Sequence, residues 1–271
     1  MEDIHTFVVL AYKESEFLEE CIKSVCNQSL KTKVLIATST PNEYINNLAK
    51  KYNLKVLINE GEKGIGNDFN FAIKCADTEL VTIAHQDDIY DYNYAKEIIE
   101  NYQKYNKSLI LFTDYYEIRN FEKVYKNTNL NIKRILLRPL LNKNKSNKTK
   151  NKRKVLKYGN SICCPAVTFS KKNIKKGIID KLFKCNFVCN VDWYTWELLS
   201  KEEGNFIYID KPLMGHRISE ESTTSKIISE NIRTKEDLIM YKKFWPTFIA
   251  KIFNSFYVKS EKSNNLNNEN N

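Results

Sequence analysis

The sequence predicts an α/β protein with a mostly parallel central sheet and helices on both of its faces. Apolar strand-length runs and amphipathic helical stretches alternate five times between residues 5 and 115. The links between them are short, as right-handed crossovers between parallel strands require. The 271-residue chain is also long enough to bury a substantial core.

Residues Thr6 to Tyr12 form a continuous apolar run with β-branched members, which fits a buried first strand. Ser15 is placed to cap the helix that follows, where Leu18, Cys21, Ile22, Val25 and Cys26 recur at helical spacing. Lys33 to Ser39 reads as the second strand, Pro41-Asn42 opens a helix to about Tyr52, and Lys55 to Asn59 is the third strand. Gly61, Gly64 and Gly66 interrupt the chain before a helix carrying Phe69, Ala72, Ile73 and Cys75. The fourth strand, Leu80 to Ala84, runs directly into His85-Gln86-Asp87-Asp88, and a helix from Tyr92 to Tyr105 leads to a fifth strand, Leu109 to Thr113. In such sheets ligands bind beyond the carboxyl ends of the strands. Tyr12 to Glu14, Thr38 to Thr40 and His85 to Asp88 all fall at that edge. Further on, Ser161 to Phe169 and Asn205 to Asp210 read as strands, and Val191-Asp192-Trp193 opens a helix. Ile232 to Val258 is helical, broken near Pro246, and the tail from Ser260 is expected to be disordered.

Composition narrows the class. With 42% hydrophobic residues the chain is too apolar for a disordered protein, and with 7 Gly and 5 Pro it is not fibrous. No run approaches the roughly 18 apolar residues of a membrane span, and the acidic start at Met1-Glu2-Asp3 lacks a signal-peptide layout. Seven cysteines without framework spacing suit a reducing, cytoplasmic compartment. Cys163-Cys164 with Cys185 and Cys189 allow a tetrathiolate zinc site, but their spacing favours buried free thiols.

The formal charge of +10 is concentrated. Between Lys123 and Lys176 there are 17 Lys/Arg and no Asp/Glu, leaving 26 basic and 33 acidic residues elsewhere. Its densest part, Lys143 to Lys154, is expected to be a mobile, self-repelling loop, either merely solvated or attracting phosphates on a nucleotide, an anionic membrane or an acceptor. It lacks the interleaved aromatics of a nucleic-acid binder, and no nucleic-acid partner is expected.

Asp87 and Asp88 close a buried strand. Adjacent carboxylates there repel unless a cation neutralises them, so a hard divalent ion, Mn²⁺ or Mg²⁺, fits; the alternative is that Asp88 or Asp91 caps the following helix.

With these elements placed, the chain resembles an inverting family 2 glycosyltransferase of the GT-A fold, well over residues 5–115 and more loosely over 158–225. Val9 to Glu14 is similar to the first-strand "IPTYNE" motif, Leu18 to Leu30 to the "LxxCLxSvxNQt" helix, Gly64 to Ala72 to "GxxxARNxG", His85 to Asp88 to "DxDD", and Val191-Asp192 to the "ED" pair. The resemblance implies sugar transfer from a nucleotide-sugar donor to a glycan or lipid-linked acceptor hydroxyl, in bacterial surface-polysaccharide synthesis, in the cytoplasm or at the inner face of the membrane. By it, Ala11, Tyr12, Glu14, Ser39, Gly64, Asn70 and Asp87 line the donor site. Asp88 and Asp87, with His216, hold the metal, and Arg217 clamps phosphate or acceptor. Asp192 is the base that deprotonates the acceptor, with a helix N-cap as its alternative role. The departures are Ser39 where relatives carry a uracil-reading Asp, Phe69 in the Arg position, His85 for the first acidic residue and Val191 for Glu.

The chain accordingly divides into a nucleotide-sugar half (1–115), a basic insert (116–157), an acceptor-side half (158–225), C-terminal helices (226–259) and a tail. The basic insert and the aromatic Trp245 to Tyr257 segment are candidates for peripheral membrane contact, the latter also for simple packing. Two other functions compete: a nucleotidyltransferase on a similar sheet, opposed by the lack of a Gly-rich loop with a following Lys or Arg after the first strand, and a non-catalytic nucleic-acid-binding protein.

Overall fold

The computed structural model describes residues 4–218 and 223–266. Nine strands form one mixed sheet. Its parallel half is β3 (Lys55–Ile58), β2 (Lys33–Thr38), β1 (His5–Ala11) and β4 (Leu80–His85), in that spatial order. Helices α1 (Leu18–Cys26), α2 (Glu43–Lys51) and α3 (Ile65–Cys75) make the crossovers. Side-chain alternation along β1 sends Phe7 and Val9 to the α1 side and Val8 to the α3 side, so both faces are buried. In α1, Leu18, Cys21, Ile22 and Val25 point inward as their spacing predicts. Its start differs from expectation: Phe17 is the cap residue, and the Ser15 hydroxyl accepts only the Phe17 amide.

The fifth strand of the alternation, β6 (Ser108–Arg119), does not pair with β4, because β8 (Val167–Ser170) lies between them, antiparallel to both. Most of the run read as strand before β8 is irregular, with a 3-10 turn at Cys164–Ala166. Beyond β6 come β9 (Asn205–Arg217), parallel to it, and the short β5 (Ile89–Tyr90), while β7 (Glu122–Val124) pairs off the side of β6. Both long strands outrun their expected ends. The ribbon stays paired through register shifts on either side of Asp114, which faces Pro212, a residue with no amide to donate. Past that bend β9 carries His216 and Arg217 to the acidic turn. Gly215 makes the approach possible, since a Cβ there would lie 2.6 Å from the Tyr116 ring.

The basic stretch is not the mobile loop its charge suggests. It folds as α5 (Thr128–Leu137), two 3-10 turns and α6 (Thr149–Lys154), with Leu130, Leu137, Leu140, Val155 and Leu156 buried. Lys152 has no exposed surface, and its ammonium donates to the Glu202 carbonyl at 2.5 Å and the Gly204 carbonyl at 3.0 Å. Arg153 pairs at 2.6 Å with Glu197 of α8 (Val191–Ser200). Lys145, Lys148, Lys150 and Lys154 remain exposed. Ahead of β6 in the chain, α4 (Tyr94–Lys104) packs on the α1 side of the sheet, and the short α7 (Lys176–Ile179) follows β8.

At the C-terminus α9 (Thr223–Lys242) and α10 (Thr247–Leu266) are separated at Pro246, and α10 extends past Ser260, where a disordered tail was expected. Trp245 and Phe253 pack against Tyr158, at ring distances of 5.7 and 5.6 Å. Of the polar segment Glu220 to Ser225, residues 220–222 lie outside the described residues, as do 267–271. No helix among the described residues is long and apolar enough to cross a membrane.

Burial holds the Lys152 ammonium down to about 8, against an ordinary 10.5. Between these values the unfolded chain binds the extra proton, so folding gains stability as pH rises through the window. Relative to Lys152→Met, wild-type stability is expected to rise by on the order of 2–3 kcal/mol between pH 7.5 and 10.5. Urea titrations of both proteins at those pH values measure it, and a flat difference contradicts the burial.

Candidate active site

The floor of the site is the carboxyl edge of β1, β2 and β4. The Gln86 side chain accepts from the Tyr12 amide at 2.8 Å and donates to its carbonyl at 3.2 Å, strapping the exit of β1 to that of β4. Lys13, at φ 55°, donates its amide to the Thr40 hydroxyl at 2.6 Å, strapping β1 to β2. Between these ties the Tyr12 ring stands 53% exposed and Glu14 is exposed, while Ala11 is buried and offers only backbone. Gly64, at φ 132° with open space where a Cβ would stand, begins α3 in a conformation only glycine adopts readily.

Ser39 is buried and donates to Asp68 at 3.0 Å, and Asp68 also accepts from Asn59 at 2.8 Å. A carboxylate therefore does stand at the end of β2, supplied from α3 rather than from the strand. Motif spacing points instead to Asn70, and here the structure corrects it. The Asn70 amide group both donates to the Phe183 carbonyl and accepts its N–H at 2.9 Å, joining α3 to the following half of the chain. Asn70 is a structural tie, with its side chain spent on backbone.

The acidic turn is the most constrained part. Asp88 has no exposed surface. Its Oδ1 accepts the Arg217 amide at 2.9 Å and lies 3.1 Å from His216 Nδ1. Its Oδ2 has no hydrogen-bond partner among the described residues, with His85 Nδ1 4.0 Å away. Asp87 is pushed up, first by burial and then by the neighbouring Asp88 charge. For His216 burial works downward, but the Asp88 carboxylate outweighs it and the imidazole is raised. Neither aspartate caps the next helix: Asn93 precedes α4, and Asp91 accepts the Asn93 amide. Arg217, expected at phosphate, is buried under the turn instead. Its Nε donates to the Asp87 carbonyl at 2.9 Å, its Nη2 to Glu20 at 2.6 Å, and its guanidinium lies 4.1 Å from the Phe17 ring centroid. It braces the turn that carries the carboxylates.

Asp192 sits in the first turn of α8. Its Oδ1 accepts the Trp193 amide at 2.7 Å and its Oδ2 the Asn160 side chain at 2.6 Å. Burial raises its carboxyl above the ordinary range, and these two donors offset part of the rise. The cap position belongs to Asn190. The loop ahead of α8 is held from α9, because the buried Glu236 carboxylate accepts the amides of Val188, Cys189 and Asn190 at 2.7, 2.9 and 2.8 Å.

The Cys163 and Cys164 thiols, pushed up mainly by burial, each feel both the Asp88 and the Asp192 carboxylate. The Lys133 charge of α5 acts on Cys163 and Asp192 as well; nothing in a run of lysines singled it out. None of the seven cysteines forms a disulfide, and no three His, Cys, Asp or Glu side chains among the described residues form a metal cage. The donor set at the turn is an open one.

A family model, glycosyl transferase family 2, matches residues 6–177. The chain belongs to this family. The match takes in the strapped strands and the acidic turn and ends before α8. Comparison with curated proteins finds no match. Among solved structures, S. aureus TarS 1–349 is similar at 15% identity and TM-score 0.61, covering 92% of this chain and 68% of TarS 1–349. Its complex with UDP-GlcNAc gives 15% and 0.59, covering 94% and 71%. The mannosyltransferase PcManGT from Pyrobaculum calidifontis, in complex with GDP-Man and Mn²⁺, gives 12% and 0.63, covering 93% and 69%. At these identities the likeness is one of fold. This family 2 glycosyltransferase has the GT-A architecture.

Truncating Glu236 removes the acceptor of three amides ahead of Asp192, two partly buried and that of Asn190 fully buried. Glu236→Ala is expected to lower stability by about 2–4 kcal/mol in urea denaturation, with Glu236→Gln intermediate because one acceptor oxygen remains. A loss below about 0.5 kcal/mol contradicts the clamp.

Proposed function

We propose that this glycosyltransferase transfers a sugar from a nucleoside-diphosphate donor to an acceptor hydroxyl with inversion, assisted by Mg²⁺ or Mn²⁺. The observation that carries the reading is the presence, around the same Cys163–Cys164 turn, of a buried carboxylate lacking a donor on one oxygen among the described residues and a second carboxylate held by neutral donors. The unpartnered Asp88 Oδ2 is the kind of atom a hard cation satisfies, and hard cations commonly take one or two carboxylates and complete their shell with substrate phosphates. Asp88, with Asp87 and His216 beside it, would hold the ion, which when bound supplies positive charge to the leaving diphosphate. The printed ligands of the two similar structures, UDP-GlcNAc and GDP-Man with Mn²⁺, support this class of donor.

The residues of the chain do the rest. Tyr12 offers an exposed ring to the base, and Ser39, Asn59 and Asp68 offer polar atoms near it. Asp192 takes the proton as the acceptor oxygen bonds to the anomeric carbon. The bond from that carbon to the diphosphate oxygen breaks on the opposite side, its electron pair leaving with the diphosphate. Placing base and diphosphate on opposite sides of the sugar is what inverts the anomeric centre. We further place the enzyme in bacterial surface-glycan synthesis on a lipid-linked acceptor, at the inner face of the membrane. Supporting this, Phe248, Ile252 and Phe256 stand exposed at four-residue intervals along α10 while Ala250 and Phe253 of the same helix pack inward.

Asp192→Asn is expected to lower kcat by about 10²–10⁴ while nucleotide still binds; near-normal turnover removes Asp192 as the base. Since the base must be unprotonated and its carboxyl is raised, wild-type activity should fall on acidification at a pH above the ordinary carboxylate range. Asp88→Asn is expected to abolish the gain in nucleotide affinity on adding Mn²⁺, measured by calorimetry. Replacing Phe248 and Phe256 with Asp is expected to reduce sedimentation with anionic vesicles without lowering Tm; unchanged sedimentation rejects α10 as the contact.

A further inference from the structure

Helix α5 is pinned to the edge of the site on several sides. Its cap, Asn127, accepts the Leu130 amide at 2.8 Å and donates to buried Glu117 at 2.7 Å. Arg134 donates to Asp114 at 2.8 Å and to the Tyr125 and Tyr115 carbonyls at 2.7 and 3.2 Å. The residue before it, Lys133, is therefore set rigidly, unlike the exposed lysines of the insert. Its ammonium donates to the Tyr115 hydroxyl at 2.9 Å, its one hydrogen-bond partner among the described residues. The Tyr115 ring meets the His216 ring edge-on at 6.1 Å, and His216 touches Asp88. The Lys133 charge is near enough to pull down Asp192, His216 and the Cys163 thiol together. A half-buried ammonium with no carboxylate of the described residues in ion-pair range thus stands two rings away from Asp88 and within electrostatic reach of Asp192.

We infer that Lys133 binds the diphosphate of the donor and of the departing nucleoside diphosphate, adding a fixed positive charge from the insert side of the site. The inference rests on the nucleotide-sugar reading above and assigns a part of that site to this chain's own basic insert. A lysine serves as a compact point charge for phosphate oxygens, and charge developing on the leaving group during transfer strengthens its hold. Tyr115 is a positioning residue that aims the ammonium.

Calorimetric titration of the full chain with UDP, GDP, UMP and GMP, each with Mn²⁺, tests this. Lys133→Met is expected to weaken whichever diphosphate the wild type binds by about 10- to 100-fold, while the matching monophosphate changes by less than about threefold. Lys133→Arg should recover most of the affinity, Tyr115→Phe should give a smaller loss, and ligand-free Tm should stay at the wild-type value. If Lys133→Met does not fold, Lys133→Gln takes its place under the same expectation. Wild-type affinity in a folded charge-removing variant, or equal losses for monophosphate and diphosphate, overturns the role of Lys133 while leaving the donor class intact. A wild type that binds neither diphosphate overturns both the inference and the reading beneath it.

Discussion

Burying Asp88 is the constraint around which the rest of the molecule is arranged. Withdrawing a carboxylate from water costs several kcal/mol unless charge or hydrogen bonds replace the lost hydration. Here the replacement comes from far along the chain, as the Arg217 amide and the His216 imidazole at the end of β9. That end reaches the turn only because β9 continues past Asp210, accommodates Pro212 at the bend, and packs Gly215 against Tyr116. Arg217 then fixes the turn from beneath through Asp87 and Glu20. The parallel half of the sheet supplies the carboxylates, and the bent ribbon makes their position tenable.

The two acidic poles are treated differently, in keeping with the roles proposed for them. Asp88 has the His216 and His85 imidazoles beside it and its own Oδ2 without a donor among the described residues, an environment that calls for more positive charge. Asp192 is held by an amide side chain and a backbone N–H. Neutral donors orient a carboxylate without lowering its basicity as far as a salt bridge would, which leaves it able to accept a proton. Burial of the surrounding space strengthens both effects by reducing solvent screening.

Much of this was legible in the sequence where periodicity governs structure. The first four strands and their helices follow from two- and 3.6-residue patterns that tertiary packing reinforces, and the acidic turn and Asp192 fall where those elements lead. What could not be read is contact between distant segments. Lys152 looks like one solvated lysine among many until the Glu202 and Gly204 carbonyls meet it. Asn70 is indistinguishable in sequence from a ligand contact, because its bond to Phe183 spans the two halves of the fold. Pro212 marks a strand end by ordinary rules, and only the extra residues that β9 itself inserts on either side of it let the ladder continue.

The Glu236 clamp bears on how the protein may be dissected. The recognisable family region stops at residue 177, which invites cutting there to obtain a minimal catalytic unit. Such a fragment would keep β1 to β8 and the two aspartates yet lose α8 with Asp192 and β9 with the His216 and Arg217 contacts to the acidic turn. Extending it through α8 alone would still leave three amides facing a void. A swap between relatives would have to move α8 and α9 as one piece, since the acceptor-side helix borrows its anchor from the one after it.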